Sequence, residues 1–182
     1  MFAGMTVVVG RTEREAQAKF DEYRRYVNPE GAFALLSGWT GIDFSRYALD
    51  DPLSYVKNDA VNSVVEAFTR GDRTWTVREL VEYGGLGGPN PKIIGSPVQV
   101  ADQLEEWVEE TDIDGFNLSY IVTPESFVDF VELVVPELQR RGVYKLDYSP
   151  GTLREKLYGR GRARLPQNHP AAAYRCSVPG TY

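Results

Sequence analysis

The 182-residue sequence contains one cysteine and one histidine. A single cysteine, Cys176, excludes an internal disulfide, and Cys176 and His169 together supply too few ligands for a structural zinc site. No run approaches the roughly 18 apolar residues of a membrane-spanning helix. The first residues lack the basic flank and the cleavage site of a secretory signal. These absences predict a cytoplasmic protein that does not bind membranes.

Charge is present in both signs but is unevenly distributed along the chain. The net charge is −6. Residues 150–182 carry six basic residues and one acidic residue, a net charge of +5, which leaves −11 for the remainder. We expect this basic tail to contact its own domain or a partner subunit rather than nucleic acid, because no nucleic-acid motif or aromatic-interleaved basic surface accompanies it.

Residues 95–118 form the best-defined stretch, a capped helix followed by a strand. Ser96 is an N-cap residue and Gln99 completes a capping box. The apolar residues that follow recur at helical spacing and define a buried stripe: Val100, Ala101, Leu104, Trp107 and Val108. After Asp114 and Gly115, residues 116–122 are apolar and predict a buried strand.

A similar strand and helix open the chain. Residues 6–10 are rich in β-branched residues and predict a strand buried on both faces, which favours a parallel sheet covered by helices. Thr12 and Glu15 predict a capping box, and the helix is expected to end at Asn28–Pro29. Its predicted buried stripe consists of Ala16, Phe20, Tyr23 and Val27.

Residues 30–92 are predicted to be a mainly helical insertion between these two units. We expect a helical turn or two over 32–37, a break at 38–41 and an ordered loop over 42–52. Two further helices are predicted, one from Asn58 or Asp59 to Gly71 with the stripe Val61, Val64, Val65 and Phe68, and one from Thr76 to Gly84–Gly85. The glycines of 84–88 lack the order of a nucleotide loop and predict a flexible linker, and residues 92–94 a short extended piece.

The last part of the sequence predicts one helix and a tail. The helix begins at Thr123–Pro124, is kinked by Pro136 and ends at Gly142. Its predicted buried face consists of Phe127, Phe130, Val131, Val134 and Leu138. Residues 146–182 are predicted to be extended, with one short helix at 153–158.

The predicted fold class is α/β, and the pattern is that of a partial (β/α)8 (TIM) barrel. Two buried parallel strands do not make a stable sheet, because each leaves an unpaired edge. Residues 1–145 therefore predict the last two strand–helix units of such a barrel, with the insertion at about 30–92 and the basic tail at 146–182.

Several blocks of the sequence carry a recognisable family pattern: Gly4–Phe20, Ala34–Gly38, Ile94–Leu104, Asp114–Leu118, Phe130–Gly142 and Arg164–Arg175. Together they resemble the C-terminal part of the bacterial-luciferase-like flavin monooxygenases, of the nitrilotriacetate monooxygenase component A and dibenzothiophene-sulfone monooxygenase type. The resemblance implies a TIM barrel that oxygenates a small organic substrate with reduced FMN and O₂. It also implies an NAD(P)H:flavin reductase as partner and, for a full-length protein, a homo-oligomer.

No catalytic, cofactor-binding or metal-binding residue is assigned from the resemblance, because the family's usual active-site and FMN-phosphate residues have no counterpart in this sequence. We therefore expect the chain to be inactive alone. The alternative is a non-catalytic α/β interaction module, or the product of a split or truncated gene that pairs with an N-terminal partner.

Local chemistry gives a short set of candidate residues, for each of which a structural role is favoured. Ser96, at a helix N-terminus, is expected to be a cap rather than an anion ligand. His169 is expected to be hydrogen-bonded, and Asn117 is discounted as a glycosylation site. The ends of predicted strands and loops supply the others: Tyr120, Thr123, Asp114, Asp43, Asp50 and Asp51.

Overall fold

The fold is organised around one central strand, β1 (Phe2–Val9), whose second half is buried on both faces. A computed structural model describes residues 1–54, 62–70 and 73–174 of the chain. Met5, Thr6 and Val7–Val9 are each at most 5% exposed. The prediction of a strand buried on both faces is therefore confirmed.

The remaining helices and strands follow in chain order. They are α1 (Glu13–Arg24), α2 (Pro29–Thr40), α3 (Asn62–Thr69), α4 (Val77–Gly84), β2 (Lys92–Gly95), α5 (Pro97–Thr111), β3 (Gly115–Ser119), α6 (Glu125–Asp129), α7 (Val135–Arg140) and α8 (Leu153–Tyr158). Short 3₁₀ turns at Phe44–Arg46 and Pro170–Tyr174 and a π-helical segment at Phe130–Val134 complete the assignment.

The three strands form one parallel sheet in the order β2-β1-β3. Thr6 of β1 lies opposite Lys92 of β2 on one side and Ser119 of β3 on the other. The expected sheet of two strands is thus corrected to three, because residues 92–95 pair with the second half of β1. Neighbouring barrel strands must be adjacent, as β1 and β3 are. If β1, β2 and β3 were three consecutive strands of a barrel, β2 would lie between β1 and β3, which is not the observed order.

One face of the sheet packs against the helices that follow it. Met5, Val7 and Val9 of β1 and Ile93 of β2 contact a buried set on α5, the π-helical segment and α7: Val100, Ala101, Leu104, Val134 and Leu138. The predicted stripe of α5 is confirmed at its first three positions, whereas Trp107 is half-buried and Val108 is 40% exposed. This apolar layer holds β1 in place. Because side chains alternate along a strand, it also determines which side chains of β1 lie on the opposite face of the sheet.

The helices of the predicted insertion have a hydrophobic core of their own. Phe44 and Leu36 are completely buried, and Phe44 stacks on Phe33 at 6.4 Å. The cluster joins α2, α3, α4 and the intervening loop: Ala32, Leu36, Ile42, Phe44, Leu53, Val65, Phe68, Val77, Leu80 and Val81. Residues 32–37 belong to one helix of 12 residues, so the predicted break at 38–41 is wrong for Gly38 and Thr40, and the helix is capped by Gly41.

The predicted end of the first helix at Asn28–Pro29 is wrong, because this dipeptide marks the start of the second helix instead. The first helix ends at Arg24, before Val27. Asn28 is the N-cap of the second helix, its side-chain oxygen accepts from the Gly31 amide, and Pro29 is the first helical residue. The dipeptide thus starts a helix rather than stopping one, as expected for proline at that position.

The helix predicted at 123–142 is interrupted by the π-helical segment. The Val135 amide donates to the Phe130 carbonyl, five residues back. This change of register rotates the face that is buried: Val134 and Leu138 are buried, but Phe127 and Val131 are 41% and 59% exposed. The π-helical segment ends two residues before Pro136, which lacks an amide and disfavours a regular helix in the preceding turn.

Some predictions concern residues outside the described part of the chain. These are the caps Asn58 and Asp59, the stripe residue Val61, the helix end Gly71, and Cys176. The chain divides into two compact units, Met1–Tyr144 and Lys145–Tyr182. Within the described residues, no helix has the length and apolar character needed to cross a membrane.

Candidate functional site

The carboxyl edge of the sheet is where a functional site of an α/β protein is expected. Because all three strands are parallel, Arg11, Ser96 and Tyr120 follow β1, β2 and β3 at this same edge. Arg11 and Tyr120 are exposed to solvent. The chemistry available at the edge therefore depends on what these side chains already contact.

Ser96 is fully used as a helix cap. Its hydroxyl oxygen accepts from the Gln99 amide, and its own amide donates to Gln99 Oε1 at 2.9 Å. Gln99 Nε2 in turn donates to the Glu13 carboxylate at 3.0 Å. An anion that binds at this helix N-terminus would have to displace these hydrogen bonds, and the negative charge of Glu13 would repel it. The structure thus confirms the capping role and argues against a phosphate site here.

The turn after β3 presents one exposed aromatic ring. Tyr120 is 53% exposed, and its ring lies 5.4 Å from that of Phe127. The backbone beyond it is held by Ser126, whose hydroxyl oxygen accepts from the amides of Ile121 and Val122. Tyr120 therefore sits on an ordered turn at the carboxyl edge, and Thr123 is exposed beside it.

The sheet face opposite the helices carries a set of hydrogen-bonded polar groups. Thr6 is completely buried, and its hydroxyl donates to the Gly87 carbonyl at 3.1 Å. Asn90 Nδ2 donates to Ser119 Oγ at 2.7 Å, and the Asn90 side chain lies directly over Gly4. The 84–91 loop therefore crosses this face from β2 to β3. The predicted flexible linker is corrected to a segment packed on the sheet.

Lys92 lies at the start of β2, beneath the same loop. Its ammonium donates to the carbonyls of Gly88 and Asn90 at 3.0 and 3.3 Å and lies 3.5 Å from the centre of the Tyr83 ring. Burial lowers the pKa of Lys92 to about 8. Burial also raises the pKa of Tyr83, whose hydroxyl donates to the Asn90 carbonyl. This lysine is held by neutral acceptors and a ring face.

The remaining sequence candidates have structural partners. Asp43 caps the 3₁₀ turn and pairs with Arg46, and a hydrogen bond from Ser45 is the main cause that lowers the pKa of Asp43. Asp50 pairs with Arg78 at 3.0 Å, and Asp51 accepts from the Ala48 amide.

The candidates outside the inserted helices are also accounted for. Asp114 pairs with the amino group of Met1. Asn117 is exposed on β3, so the expectation that it is buried in its strand is wrong. His169 Nδ1 accepts from the Ala171 amide at 3.1 Å and holds the last 3₁₀ turn, as predicted for a hydrogen-bonded histidine.

Local sequence patterns do not predict the polar cluster formed by Thr6, Tyr83, Asn90, Lys92 and Ser119. One signal was present in the strand itself. A hydroxyl in a strand buried on both faces requires an acceptor, and a backbone carbonyl that crosses that face supplies one. The loop residues that supply it are 81 or more positions away along the chain, so the partner is not evident from local pattern.

Comparison with known proteins yields close relatives, although no family model matches the chain. It is 45% identical to dimethyl-sulfide monooxygenase of Hyphomicrobium sulfonivorans over 99% of this chain and 38% of the relative. It is 43% identical to long-chain alkane monooxygenase of Geobacillus thermodenitrificans (96% and 36%) and 39% identical to nitrilotriacetate monooxygenase component A of Aminobacter aminovorans (91% and 37%). These relatives are luciferase-like monooxygenases, and the chain is similar to about a third of each of them.

Solved structures match the fold of the chain as well. The crystal structure of the Hyphomicrobium sulfonivorans enzyme matches 96% of the chain with a TM-score of 0.80 and 46% identity. A crystal structure of riboflavin lyase with modified FMN and its substrate riboflavin matches 97% with a TM-score of 0.79 and 33% identity. The chain covers 37% and 39% of these two structures. It therefore spans little more than a third of the luciferase-like proteins that it matches.

Proposed function

We propose that this chain is the C-terminal part of an FMN-dependent two-component monooxygenase. The whole enzyme oxygenates a small organic substrate with reduced FMN and O₂, and an NAD(P)H:flavin reductase supplies the reduced FMN. The observation that carries the proposal is 45% identity to dimethyl-sulfide monooxygenase over 99% of the chain. A cytoplasmic location and homo-oligomerisation of the full-length protein stay predictions.

The described residues at the carboxyl edge of the sheet do not by themselves fit FMN. Ser96 at the carboxyl edge is closed by its own capping bonds, and the Glu13 carboxylate beside it disfavours a phosphate. A cavity of about 330 Å³ that reaches the sheet lies at the opposite, amino end of β1, where Ala3 and Gly4 line it. These observations support the proposal that the flavin-holding residues belong to another part of the enzyme, and that this chain is inactive alone.

Within the proposed enzyme, residues 1–145 supply the end of a (β/α)8 barrel and 146–182 form the basic tail. The adjacency of β1 and β3 supports their assignment as the seventh and eighth barrel strands. The separate core of the helices over 29–84 supports an insertion at about 30–92. In this role the chain contributes part of the barrel wall and part of its carboxyl edge, and Tyr120 is exposed at the carboxyl end of β3.

Two titrations test the proposal. The 182-residue chain, titrated with FMN and followed by flavin fluorescence, is expected not to bind with a Kd below about 1 μM. A chimera in which this chain replaces the matched part of dimethyl-sulfide monooxygenase is expected to bind reduced FMN as that enzyme does. Micromolar or tighter binding by the chain alone would contradict its proposed inactivity. A folded chimera that binds no FMN would contradict the family assignment of function.

A second candidate function is favoured by the edges of the sheet. Among the described residues, no strand pairs with the outer edge of β2 or of β3. Free edges are sites for pairing with another chain, so the alternative is a non-catalytic interaction module or a split-gene product that joins an N-terminal partner. Light scattering coupled to size-exclusion chromatography distinguishes them, since a stable monomer with a cooperative melt argues against exposed, pairing-competent edges.

A further inference from the structure

The unit formed by residues 145–182 contains a cavity lined by arginines. Its volume is about 430 Å³, within the range of small-molecule sites. Its lining consists of Arg154, Arg162 and Arg164 with three uncharged residues, Gly161, Pro166 and Asn168. Among the lining residues, three carry a positive charge and none carries a negative charge.

Glu155, the acidic residue next to Arg154, holds the backbone that surrounds the cavity. Glu155 accepts from the Thr152 amide at 2.9 Å and, with its other carboxylate oxygen, from the Gly161 amide at 3.2 Å. The Arg162 amide donates to the Gly159 carbonyl, which closes the turn. The carboxylate of Glu155 is therefore engaged in fixing the loop that carries Gly161 and Arg162.

Arg154 supplies an independent sign that an acceptor is missing. Its Nε is buried and has no hydrogen-bond partner among the described residues. The guanidinium carbon lies over the Tyr158 ring, 4.5 Å from the ring centre, in a cation–π contact. A buried donor without an acceptor is costly, and the cost is relieved when a ligand supplies an oxygen.

We propose that this cavity binds a phosphate group, either as inorganic phosphate or as part of a small phosphorylated molecule. A phosphate carries close to two negative charges at neutral pH and three strong acceptor oxygens, one for each of three guanidinium groups. Guanidinium forks match phosphate geometry in pairs of parallel bonds. A monocarboxylate offers one charge and two oxygens, so it satisfies the same lining less completely.

Calorimetric titration of the 182-residue chain at constant ionic strength tests the site. Inorganic phosphate and glycerol 3-phosphate are the two probes, and acetate is the monocarboxylate comparison. At least one phosphate probe is expected to bind one to one with a Kd below about 1 mM, and acetate about tenfold or more weaker. Tighter binding of glycerol 3-phosphate identifies a phosphorylated molecule as ligand, and equal binding identifies the phosphate group itself.

Substitutions in the lining give the decisive comparison. Arg162→Ala and Arg164→Ala are each expected to weaken phosphate binding about tenfold, the usual loss for one charge-assisted bond. Arg154→Lys keeps the charge but removes Nε, and is expected to weaken it as well. Arg160→Ala, which removes an equal charge outside the lining, is the matched control and is expected to change the Kd less than twofold.

The same titrations can also contradict the proposed phosphate site. A Kd above 1 mM for both phosphate probes would do so, as would binding of acetate as tight as that of phosphate. Equal weakening by Arg160→Ala and Arg162→Ala would show a diffuse basic tail instead of a cavity. Circular dichroism of each variant confirms that loss of binding is not loss of folded structure.

Discussion

Replacing Gly87 by alanine tests whether the 84–91 loop is packed on the sheet. Gly87 has a φ of +72°, and an added Cβ would lie 2.7 Å from Thr6 Cγ2 and 2.9 Å from Thr6 Oγ1. The left-handed conformation costs alanine about 1–2 kcal/mol, and forcing an atom into a packed contact costs about 1–3 kcal/mol. We therefore expect the free energy of unfolding to fall by about 2–5 kcal/mol.

Two other glycines separate the contributions to that loss. Gly142 has a φ of +77° but no neighbour within 4 Å among the described residues, so Gly142→Ala is expected to cost only about 1–2 kcal/mol. Gly38 lies inside α2 with equally open space, and Gly38→Ala is expected to stabilise the protein by about 1 kcal/mol through helix propensity. The difference between Gly87→Ala and Gly142→Ala measures the contact with Thr6.

Urea denaturation followed by circular dichroism at equilibrium gives the three free energies. In the Gly87→Ala background, Thr6→Ser removes the clashing methyl group and is expected to recover part of the lost stability. The reasoning is refuted when Gly87→Ala proves no more destabilising than Gly142→Ala. That result would mean that the loop does not rest on Thr6 in solution.

Three further predictions follow from the same contacts. Burial lowers the pKa of Lys92 from about 10.5 to about 8, so the unfolded chain binds more protons between these pH values. The unfolding free energy should therefore rise with pH across that window by a contribution that Lys92→Met lacks, measurable by denaturation at several pH values. Ser96→Ala should cost about 1 kcal/mol and Thr111→Ala, on the exposed end of the same helix, less than about 0.5 kcal/mol in urea melts. Val134→Ala should cost about 2 kcal/mol and the exposed Val131→Ala almost nothing, and equal effects would contradict the π-helical register.

The parts of the fold that local chemistry determines could be predicted from the sequence. The capping box predicted at Ser96–Gln99 is formed, and a second one, Thr76–Glu79, lies at the predicted start of its helix. The short helix at 153–158 begins and ends where its pattern indicates. In each of these cases the partner lies three or four residues away, so the sequence contains the whole interaction.

The features that failed depend on residues far apart in the chain. β2 has only four residues, and its pairing with Thr6–Val9 depends on a backbone that lies 86 positions away. A four-residue apolar piece has the same local pattern whether it pairs or not. The buried face of the last helix depends on Pro136, whose effect is a register shift one turn earlier rather than the bend at the proline itself. To predict the polar cluster under the 84–91 loop, one needs both the local pattern of β1 and the contacts between residues far apart in the chain.

The edges of the sheet bear on both candidate functions. Isolated sheets protect their edges with charged residues, prolines or bulges, which hinder pairing with other strands. β3 (Gly115–Ser119) carries none of these features. Asn117 is exposed, and the other four residues of the strand are half-buried. β2 does carry Lys92, but its ammonium is turned onto the carbonyls of Gly88 and Asn90. Both outer strands are therefore open to continuation by further strands, which is the property that the end of a barrel and a paired split product each require.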